Sequence, residues 1–291
     1  MEIVIEPYNE QYANQLKQLL HESAKDLVGK FNSDQFEQVI IAVRDDQLVG
    51  AVLTWRNSYH PHCIYFRTIT HVSFPRKLIT KYLLDNLKKV RHKNFPLITS
   101  FWEESDSYLQ LYVTYGFKVI RKTFMPILKI EEVTHFSGSA EHFVLKTVEE
   151  IKDDEATVED LVRLVKRNYE SSHKVNPVAD LSLEHWKDLI FSEDLVSEGS
   201  YLYVQKNQVI AYAFLHETDE DNLLEIGWIG ARESTQKEKT ISLVSRQFDF
   251  ARKQGFEYIT GEFDTTDEYS LAVMESLQLP MRPAWLTLQK R

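Results

Sequence analysis

The sequence predicts an α+β protein of two tandem domains, each a mixed, mostly antiparallel sheet with helices on both faces. The main observation is a repeat with a spacing of 161 residues. AVRDDQLVGAVL, from Ala42, resembles YVQKNQVIAYAFL, from Tyr203, and NFPLITSFW, from Asn94, resembles GFEYITGEFD, from Gly255. Since a solenoid unit is only about 20–50 residues long, this spacing indicates a duplicated domain. The length of 291 residues agrees, because a domain usually takes about 100–200.

The first copy shows the periodicities of both helix and strand. Leucines at 3–4 spacing predict a helix after a short alternating strand, and Asp45-Asp46 between two alternating runs predicts a hairpin. Pro75 marks the start of a second helix, and Gly116 ends a short third one. The predicted strands are Glu2–Glu6, Val39–Arg44, Leu48–Trp55, Ile64–Val72, Leu97–Trp102 and Phe117–Ile130, and the predicted helices span Leu16–Ala24, Pro75–Lys93 and Tyr108–Tyr115.

The second copy repeats this order after a polar linker, Glu131–Glu141, so the predicted domains are 1–132 and 142–291. Ser182 is an N-cap residue type and introduces an extra helix. Early strands joined by tight turns are antiparallel, whereas later strands separated by helices allow parallel pairs. The predicted strands are Phe143–Val148, Tyr201–Gln205, Val209–His216, Leu223–Ala231, Tyr258–Phe263 and Ala284–Gln289, and the helices are Val158–Tyr169, Leu183–Phe191, Lys239–Lys253 and Tyr269–Leu277.

The composition indicates a globular protein of ordinary type. It is 43% hydrophobic and 12% aromatic, so each half can form its own core. No apolar run approaches the roughly 20 residues that a bilayer requires, and the acidic start MEIVIEPYNEQY lacks the features of a signal peptide. The single cysteine, Cys63, excludes a disulfide within the chain. We therefore expect a soluble cytoplasmic protein; its oligomeric state is left open.

Charge is divided unequally between the halves. Residues 1–140 hold 17 Lys and Arg against 15 Asp and Glu, whereas residues 141–291 hold 17 against 29. A net charge of −10 is unfavourable for nucleic-acid binding, which depends on neutralising phosphates. The acidic half could attract a cationic amine, or the charge could serve solubility alone.

Two segments resemble motifs of the GNAT acetyltransferase superfamily. LEIGWIGARESTQKEKTISLV, Leu224–Val244, is similar to its fourth strand, pyrophosphate loop and following helix. LYVTYGF, Leu111–Phe117, is similar to the end of the helix before its last strand. The order of elements agrees over nearly the whole chain, as two tandem copies.

The resemblance implies an activity as well as a fold. Members transfer an acetyl or other acyl group from acetyl-CoA to a primary amine of a small molecule or peptide. Backbone N–H groups at a helix N-terminus bind the pyrophosphate. A carboxylate or water chain takes the amine proton, and a tyrosine protonates the departing thiolate. No metal is expected.

The pyrophosphate loops depart from the family pattern. No glycine lies between Gly50 and Gly116, or between Gly230 and Gly255, so a Cβ crowds the approach of a pyrophosphate in both copies. Basic side chains would compensate, unless they are ordinary solvated helix positions. The candidate cofactor-binding residues are Val72, Arg76, Lys77 and Lys81 in the first copy and Ala231, Gln236, Lys237 and Lys239 in the second.

The candidate catalytic residues are divided between the copies. By the resemblance, Tyr112 is the general acid of the first copy, and Met274 occupies its place in the second. Glu225 on the fourth strand is the candidate base of the second copy. The alternatives are a core tyrosine and a solvated strand carboxylate. The tyrosine and the more basic helix favour the first copy for cofactor contact, and the acidic second copy suits the substrate side.

Other signals are weaker. His60, His62 and Cys63 suggest a metal site only superficially, because no second pair of ligands is visible. Glu103 and Glu104, at a strand end, are a possible base or solvated charges. Two alternatives to an acetyl-CoA-dependent acyltransferase remain. One is a degenerate, non-catalytic binding module, favoured by the missing glycines. The other is an aminoacyl transferase using charged tRNA, which the net charge argues against.

Overall fold

The computed structural model describes residues 2–87, 95–103, 106–133, 143–279 and 283–291. The strands of the first half of the chain are β1 (Val4–Pro7), β2 (Gln38–Arg44), β3 (Gln47–Trp55), β4 (Ile64–Thr70), β5 (Leu97–Trp102), β6 (Lys118–Phe124) and β7 (Leu128–Lys129). The helices of this half are α1 (Ala13–Ser23), α2 (Val28–Asn32), α3 (Arg76–Leu87) and α4 (Asp106–Thr114). The end predicted for the second helix, near residue 93, lies outside the described residues.

The second half follows the same order with additional helices. Its strands are β8 (Val144–Thr147), β9 (Tyr201–Gln205), β10 (Gln208–Glu217), β11 (Leu223–Ala231), β12 (Tyr258–Gly261), β13 (Phe263–Asp264) and β14 (Trp285–Lys290). Its helices are α5 (Val148–Ile151), α6 (Glu155–Ser172), α7 (Leu183–Ile190), α8 (Lys237–Gln254) and α9 (Glu268–Ser276).

The chain forms two compact units that are discontinuous in sequence. The first contains Met1–Ile120, Asn176–Ala179 and Leu286–Arg291, and the second contains Arg121–Val175 and Asp180–Trp285. The domains predicted from the sequence, 1–132 and 142–291, are continuous, and their bounds stay a prediction. No helix within the described ranges is long and apolar enough to cross a membrane.

The first unit is a sheet with helices on both faces, as predicted. Its strand order is β1-β2-β3-β4-β5-β14, with β6 next to β14. Ala51, Leu53 and Trp55 on β3 belong to one core cluster with α1. On the opposite face, a Cβ on Gly50 would lie 2.6 Å from Cγ2 of Ile79 on α3, so only glycine allows this helix so close.

The second unit has a comparable arrangement, with the strand order β7-β12-β11-β10-β9-β8. Tyr203 on β9 donates to or accepts from Ser242 on α8 at 2.8 Å. Tyr212 on β10 points to the other face, where its hydroxyl accepts from Nδ2 of Asn168 on α6 at 3.3 Å. Most strand pairs are antiparallel, and β11 with β12 is parallel. The predicted fold class is therefore confirmed.

One strand lies in an unexpected place. The sequence predicts the terminal strand as the end of the second copy, whereas β14 lies beside β5 in the first unit's sheet. The hydroxyls of Ser100 and Thr287 are 3.1 Å apart, and the amide of Gln289 donates to the buried Sγ of Cys63 at 3.4 Å. β7 correspondingly pairs with β12 in the second unit. Alternation in a sequence identifies a strand but not its partner. The exchange of β7 and β14 between the two sheets was therefore not predictable from the pattern.

Candidate functional site

In the second unit the central strand β11 loses its neighbour halfway along its length. β11 and β12 pair in parallel from Leu223↔Tyr258 to Ile226↔Gly261, and β12 then ends. The next short strand, β13, pairs with β6 instead. On its other side β11 has a bulge, because the register passes from Leu215↔Ile226 to Ala213↔Ile229. The extra residue bends the strand where its backbone becomes available on one side.

A cavity of about 250 Å³ lies at this bulge. It is lined by one end of α7, the following loop and the strands β10 and β11. Its lining residues are Leu189, Ile190, Asp194, Phe214, His216, Glu225, Ile226, Gly227, Trp228 and Glu262. Apolar walls with a few polar groups are the usual composition of a small-molecule site.

Two of the carboxylates converge from neighbouring strands. Glu225, the predicted base, lies opposite His216 on β10 and Thr260 on β12 in the strand register. Glu262 follows β12 directly, and desolvation raises the pKa of its carboxyl, with the negative charges of Asp264 and Glu225 adding to the shift. The positive charge of Arg121 opposes these effects. Repulsion between the two carboxylates would be relieved by a cation bound in the cavity.

A histidine next to Glu225 has a fixed orientation. Nδ1 of His216 lies 3.1 Å from Oδ2 of Asp194. The ring rests on Gly227, where an added Cβ would be 2.5 Å from both Cδ2 and Nε2. Glycine is therefore required at position 227 by the close approach of the ring and not by its backbone conformation.

Aromatic rings support the far wall of the cavity. Trp228 packs with Tyr169 at 5.3 Å and with Trp186 at 5.9 Å between ring centroids. His173 stacks on Tyr169 at 4.0 Å and bonds to Nη1 of Arg121 at 3.0 Å. These contacts hold the bulged part of β11 in place beneath the cavity.

Beyond the cavity, the chain's own side chains occupy the positions predicted for a cofactor. The carbonyl of Ala231 accepts from the hydroxyl of Tyr269 at 3.0 Å and from Nδ2 of Asn168 at 3.1 Å. Gln236 and Glu233 form a reciprocal capping box before α8. The carboxylate of Glu233 thus lies where the sequence predicts the pyrophosphate loop.

The two predicted lysines of the second copy have other contacts. Nζ of Lys237 is 2.9 Å from Oε2 of Glu268, and Nζ of Lys239 lies 5.3 Å from the ring centroid of Phe143. Both contacts are with partly exposed side chains, so they are weak and exchangeable.

In the first unit, the residues predicted to bind the cofactor surround the start of α3. Val72 is 89% exposed, and Lys77 and Lys81 are also exposed. The guanidinium of Arg76 lies 4.2 Å from the ring centroid of Tyr108, and Lys77 donates to the hydroxyl of Ser107. The first turn of α3 contains no acidic residue, unlike that of α8.

Tyr112, the predicted general acid, is only 1% exposed. Its hydroxyl lies 2.7 Å from Oγ1 of Thr68, and its ring centroid is 4.8 Å from that of Phe101. Desolvation raises the pKa of this phenol well above its ordinary value. In this state the hydroxyl is satisfied inside an aromatic core and has no route to a substrate. The catalytic role of Tyr112 stays a prediction that would require this core to open.

The corresponding helix of the second unit ends in the same way. Gly116 and Gln278 both have positive φ, +84° and +55°, so the helix end recurs in the two copies. Met274 is buried where Tyr112 stands in the first copy. The hydroxyl of Tyr269, near the start of this helix, donates to the carbonyl of Ala231 at the end of β11.

The weaker candidates from the sequence have structural contacts of their own. Nδ1 of His60 bonds to the carbonyl of Asn176 at 2.9 Å, and Cys63 is buried. Across the ranges that the structure covers, no three His, Cys, Asp or Glu side chains could hold one metal ion. Glu103 is partly buried after β5, and Glu104 lies outside the described residues.

Of the four polar residues that line the cavity, the sequence analysis named Glu225, whose role as a base stays a prediction, and missed His216, Asp194 and Glu262. His216 could have been found from the sequence. Its distance from the Lys206-Asn207 turn places it at the end of the strand that pairs with the fourth strand. No comparable signal existed for Asp194, which lies in a loop, or for Glu262, whose strand ends one residue earlier.

The fold is similar to that of several solved acetyltransferases. A GCN5-related N-acetyltransferase from Sphaerobacter thermophilus matches with a TM-score of 0.67 and 14% identity, over 99% of this chain and 95% of that one. A tandem GNAT protein from the clavulanic acid biosynthesis pathway matches with 0.52 and 12%, over 99% and 98%. A GNAT-family acetyltransferase from Colwellia psychrerythraea matches with 0.54 and 11%, over 99% and 100%.

No family model and no curated protein matches the sequence itself. The likeness at 11–14% identity therefore shows the fold alone. It confirms the resemblance drawn from Leu224–Val244 and Leu111–Phe117: the chain has a tandem GNAT fold.

Proposed function

We propose that the protein transfers an acyl group, acetyl in the simplest case, from acetyl-CoA to a primary amine bound in the cavity on β11. The observation that carries the proposal is the position of this cavity. It lies where β11 is bulged and no longer pairs with β12, and three carboxylates and a histidine line it.

The cavity suits a small cationic acceptor. Glu225 and Glu262 supply negative charge, and Leu189, Ile190 and Phe214 supply an apolar wall for the carbon chain of the amine. A volume of about 250 Å³ accommodates a small molecule or the end of a lysine side chain. The −12 net charge of residues 141–291 would draw such a cation toward the unit.

The acyl donor is proposed to lie along the open end of β11, because amine and thioester must meet in one place. Gln236, Lys237 and Lys239 would then take the pyrophosphate at the start of α8, with backbone N–H groups of its first turn. Glu233 and Tyr269 must move aside, since they occupy the capping position and the carbonyl of Ala231. The alternative donor site is the start of α3, with Arg76, Lys77 and Lys81.

The chemistry would be direct transfer. The neutral amine attacks the thioester carbonyl, a side chain of the cavity takes the amine proton, and the electron pair of the C–S bond leaves on sulfur. Positioning and proton transfer account for most of the rate gain in such a reaction. Glu225 is the base predicted from the sequence.

A non-catalytic, amine-binding module is the second candidate. Three observations favour it. The hydroxyl of Tyr112 is buried and hydrogen-bonded, Met274 stands at the corresponding position of the second copy, and the carbonyl of Ala231 already accepts hydrogen bonds. In that case the amine cavity remains, but a thioester finds no place beside it.

The deciding experiment combines calorimetric titration of acetyl-CoA with a thiol-release assay over a panel of primary amines. Saturable binding that is lost in Lys237→Ala/Lys239→Ala but kept in Arg76→Ala/Lys77→Ala supports the donor site on α8, and the reverse supports α3. Amine-dependent thiol release supports the enzyme. Binding of amines without any binding of millimolar acetyl-CoA leaves the non-catalytic module.

A further inference from the structure

The contact between His216 and Asp194 fixes the tautomer of the histidine. A hydrogen bond from the hydroxyl of Ser192 lowers the pKa of the Asp194 carboxyl, and the nearby His216 lowers it further. An ionised carboxylate can only accept hydrogen bonds. The proton of a neutral His216 must therefore reside on Nδ1, which lies 3.1 Å from Asp194, and Nε2 carries a lone pair.

That lone pair belongs to a residue that lines the cavity. The edge formed by Cδ2 and Nε2 lies on Gly227, and both residues line the cavity together with Glu225. Within the described part of the chain, no hydrogen bond to Nε2 is formed. The groups with charge that line the cavity around this ring are the carboxylates of Asp194, Glu225 and Glu262.

We propose that His216 is the base that deprotonates the acceptor, with Asp194 as its positioning residue. The inference rests on the proposed acyl transfer and deepens it. Nε2 takes one proton from R–NH₃⁺, which leaves R–NH₂ and an imidazolium stabilised by Asp194. The amine nitrogen forms the new C–N bond, the C–S bond breaks, and the thiolate leaves with its electron pair. The thiolate receives the second proton of the amine nitrogen and becomes CoASH. The imidazolium of His216 then returns its proton to solvent.

The carboxylates are suited to a different task. A negative charge beside an ammonium ion stabilises the charged form and so opposes deprotonation. A free imidazole also binds protons about two pKa units more strongly than a free glutamate carboxylate. Glu225 and Glu262 therefore hold the cation, while His216 removes its proton.

The test compares His216→Ala with Glu225→Gln in the full-length protein, using an amine that the wild type acetylates. We expect His216→Ala to lower kcat by about 100-fold or more, with the KM for the amine nearly unchanged. Added imidazole should restore part of that kcat. Glu225→Gln should instead raise the KM for the amine. His216→Gln is the second variant, in case the alanine protein fails to fold.

Asp194→Asn tests the positioning role by a readout that does not depend on turnover. Nitrogen chemical shifts of His216 should show the Nδ1–H tautomer in the wild type and a mixture in this variant. A kcat within threefold of wild type in folded His216→Ala or His216→Gln would overturn the inference and leave the proposed function standing. A wild type inactive with every amine would end the proposed function, and with it this inference.

Discussion

Gly227 is the residue on which the geometry of the cavity depends most directly. An alanine Cβ would lie 2.5 Å from Cδ2 and Nε2 of His216 and 3.4 Å from Cβ of Phe214. The ring is the movable partner, so Gly227→Ala should turn it away from Asp194. We expect acyl transfer to fall at least tenfold, with a stability loss of about 1–3 kcal/mol from overpacking. Kinetics and denaturant unfolding measure the two effects.

Gly29→Ala is the matched control for that substitution. Gly29 lies in α2 with nothing within 4 Å of its added Cβ. This change should leave transfer unaltered and stabilise the protein by about 0.5–1 kcal/mol. An equal loss of transfer in both variants would contradict the role assigned to Gly227.

Asp267, the N-cap of α9, provides a test by pH. Desolvation raises the pKa of its carboxyl to about 6, although it accepts from the backbone N–H groups of Tyr269 and Ser270. The unfolded value is 3.8. Because the folded pKa is the higher one, this group's stability contribution is complete below pH 4 and is lost as pH rises through about 6. The difference between a folded pKa of about 6 and an unfolded pKa of 3.8 corresponds to roughly 3 kcal/mol of unfolding free energy.

Asp267→Asn keeps an N-cap acceptor without the buried charge. It should be more stable than the wild type at pH 7–8, and the difference should vanish near pH 4. Urea unfolding at several pH values measures it. Asp154→Asn, at the N-cap of α6, is the control with opposite sign, because hydrogen bonds from Thr157 lower the pKa of Asp154. Parallel pH profiles for the two variants would refute this account.

Among the elements, the hairpins show how far local sequence determines structure. Asp45 and Asp46 have φ values of +52° and +59°, and Lys206 and Asn207 have +50° and +63°. Two consecutive left-handed residues make the tight turn whose twist matches the strands. These turns, with the alternating runs beside them, made β2, β3, β9 and β10 predictable nearly to the residue.

The cavity and the end of β11 beside it depend on contacts between elements, which the sequence does not reveal. Glu225 was predictable because strand and family motif coincide at one place. His216 and Glu262 reach the same cavity only through the bulge in β11 and the end of β12. The hydroxyl of Tyr269 reaches Ala231 because α9 packs against β11, and no local pattern specifies that contact.

Tyr269→Phe tests whether α9 restricts the donor. The hydroxyl of Tyr269 donates to the carbonyl of Ala231, which a donor running along β11 would need. Removing it frees one of the two acceptor positions of that carbonyl, because Nδ2 of Asn168 still donates to the other at 3.1 Å. We therefore expect acetyl-CoA to bind about 5–10-fold more tightly, the equivalent of about one hydrogen bond. Calorimetric titration measures it. Tyr258→Phe, at an exposed tyrosine of the same unit, should leave the affinity unchanged. Weaker binding in Tyr269→Phe would mean that the hydroxyl contacts the donor.

For the molecule as a whole, the exchange of β14 makes the first unit depend on the last residues of the sequence. β14 stands between β5 and β6 in the sheet, and Leu286 and Leu288 are completely buried. Truncating a buried leucine to alanine usually costs about 2–5 kcal/mol, and a domain has only about 5–15 kcal/mol of stability. Deleting Leu286–Arg291 should therefore unfold the first unit, although residues 1–120 remain intact.

Hydrogen exchange should show the amides of β5 losing protection. Deletion of Arg291 alone, which lies after β14 and is exposed, should preserve that protection. Unchanged exchange in β5 after the longer deletion would mean that the first half of the chain completes its own sheet.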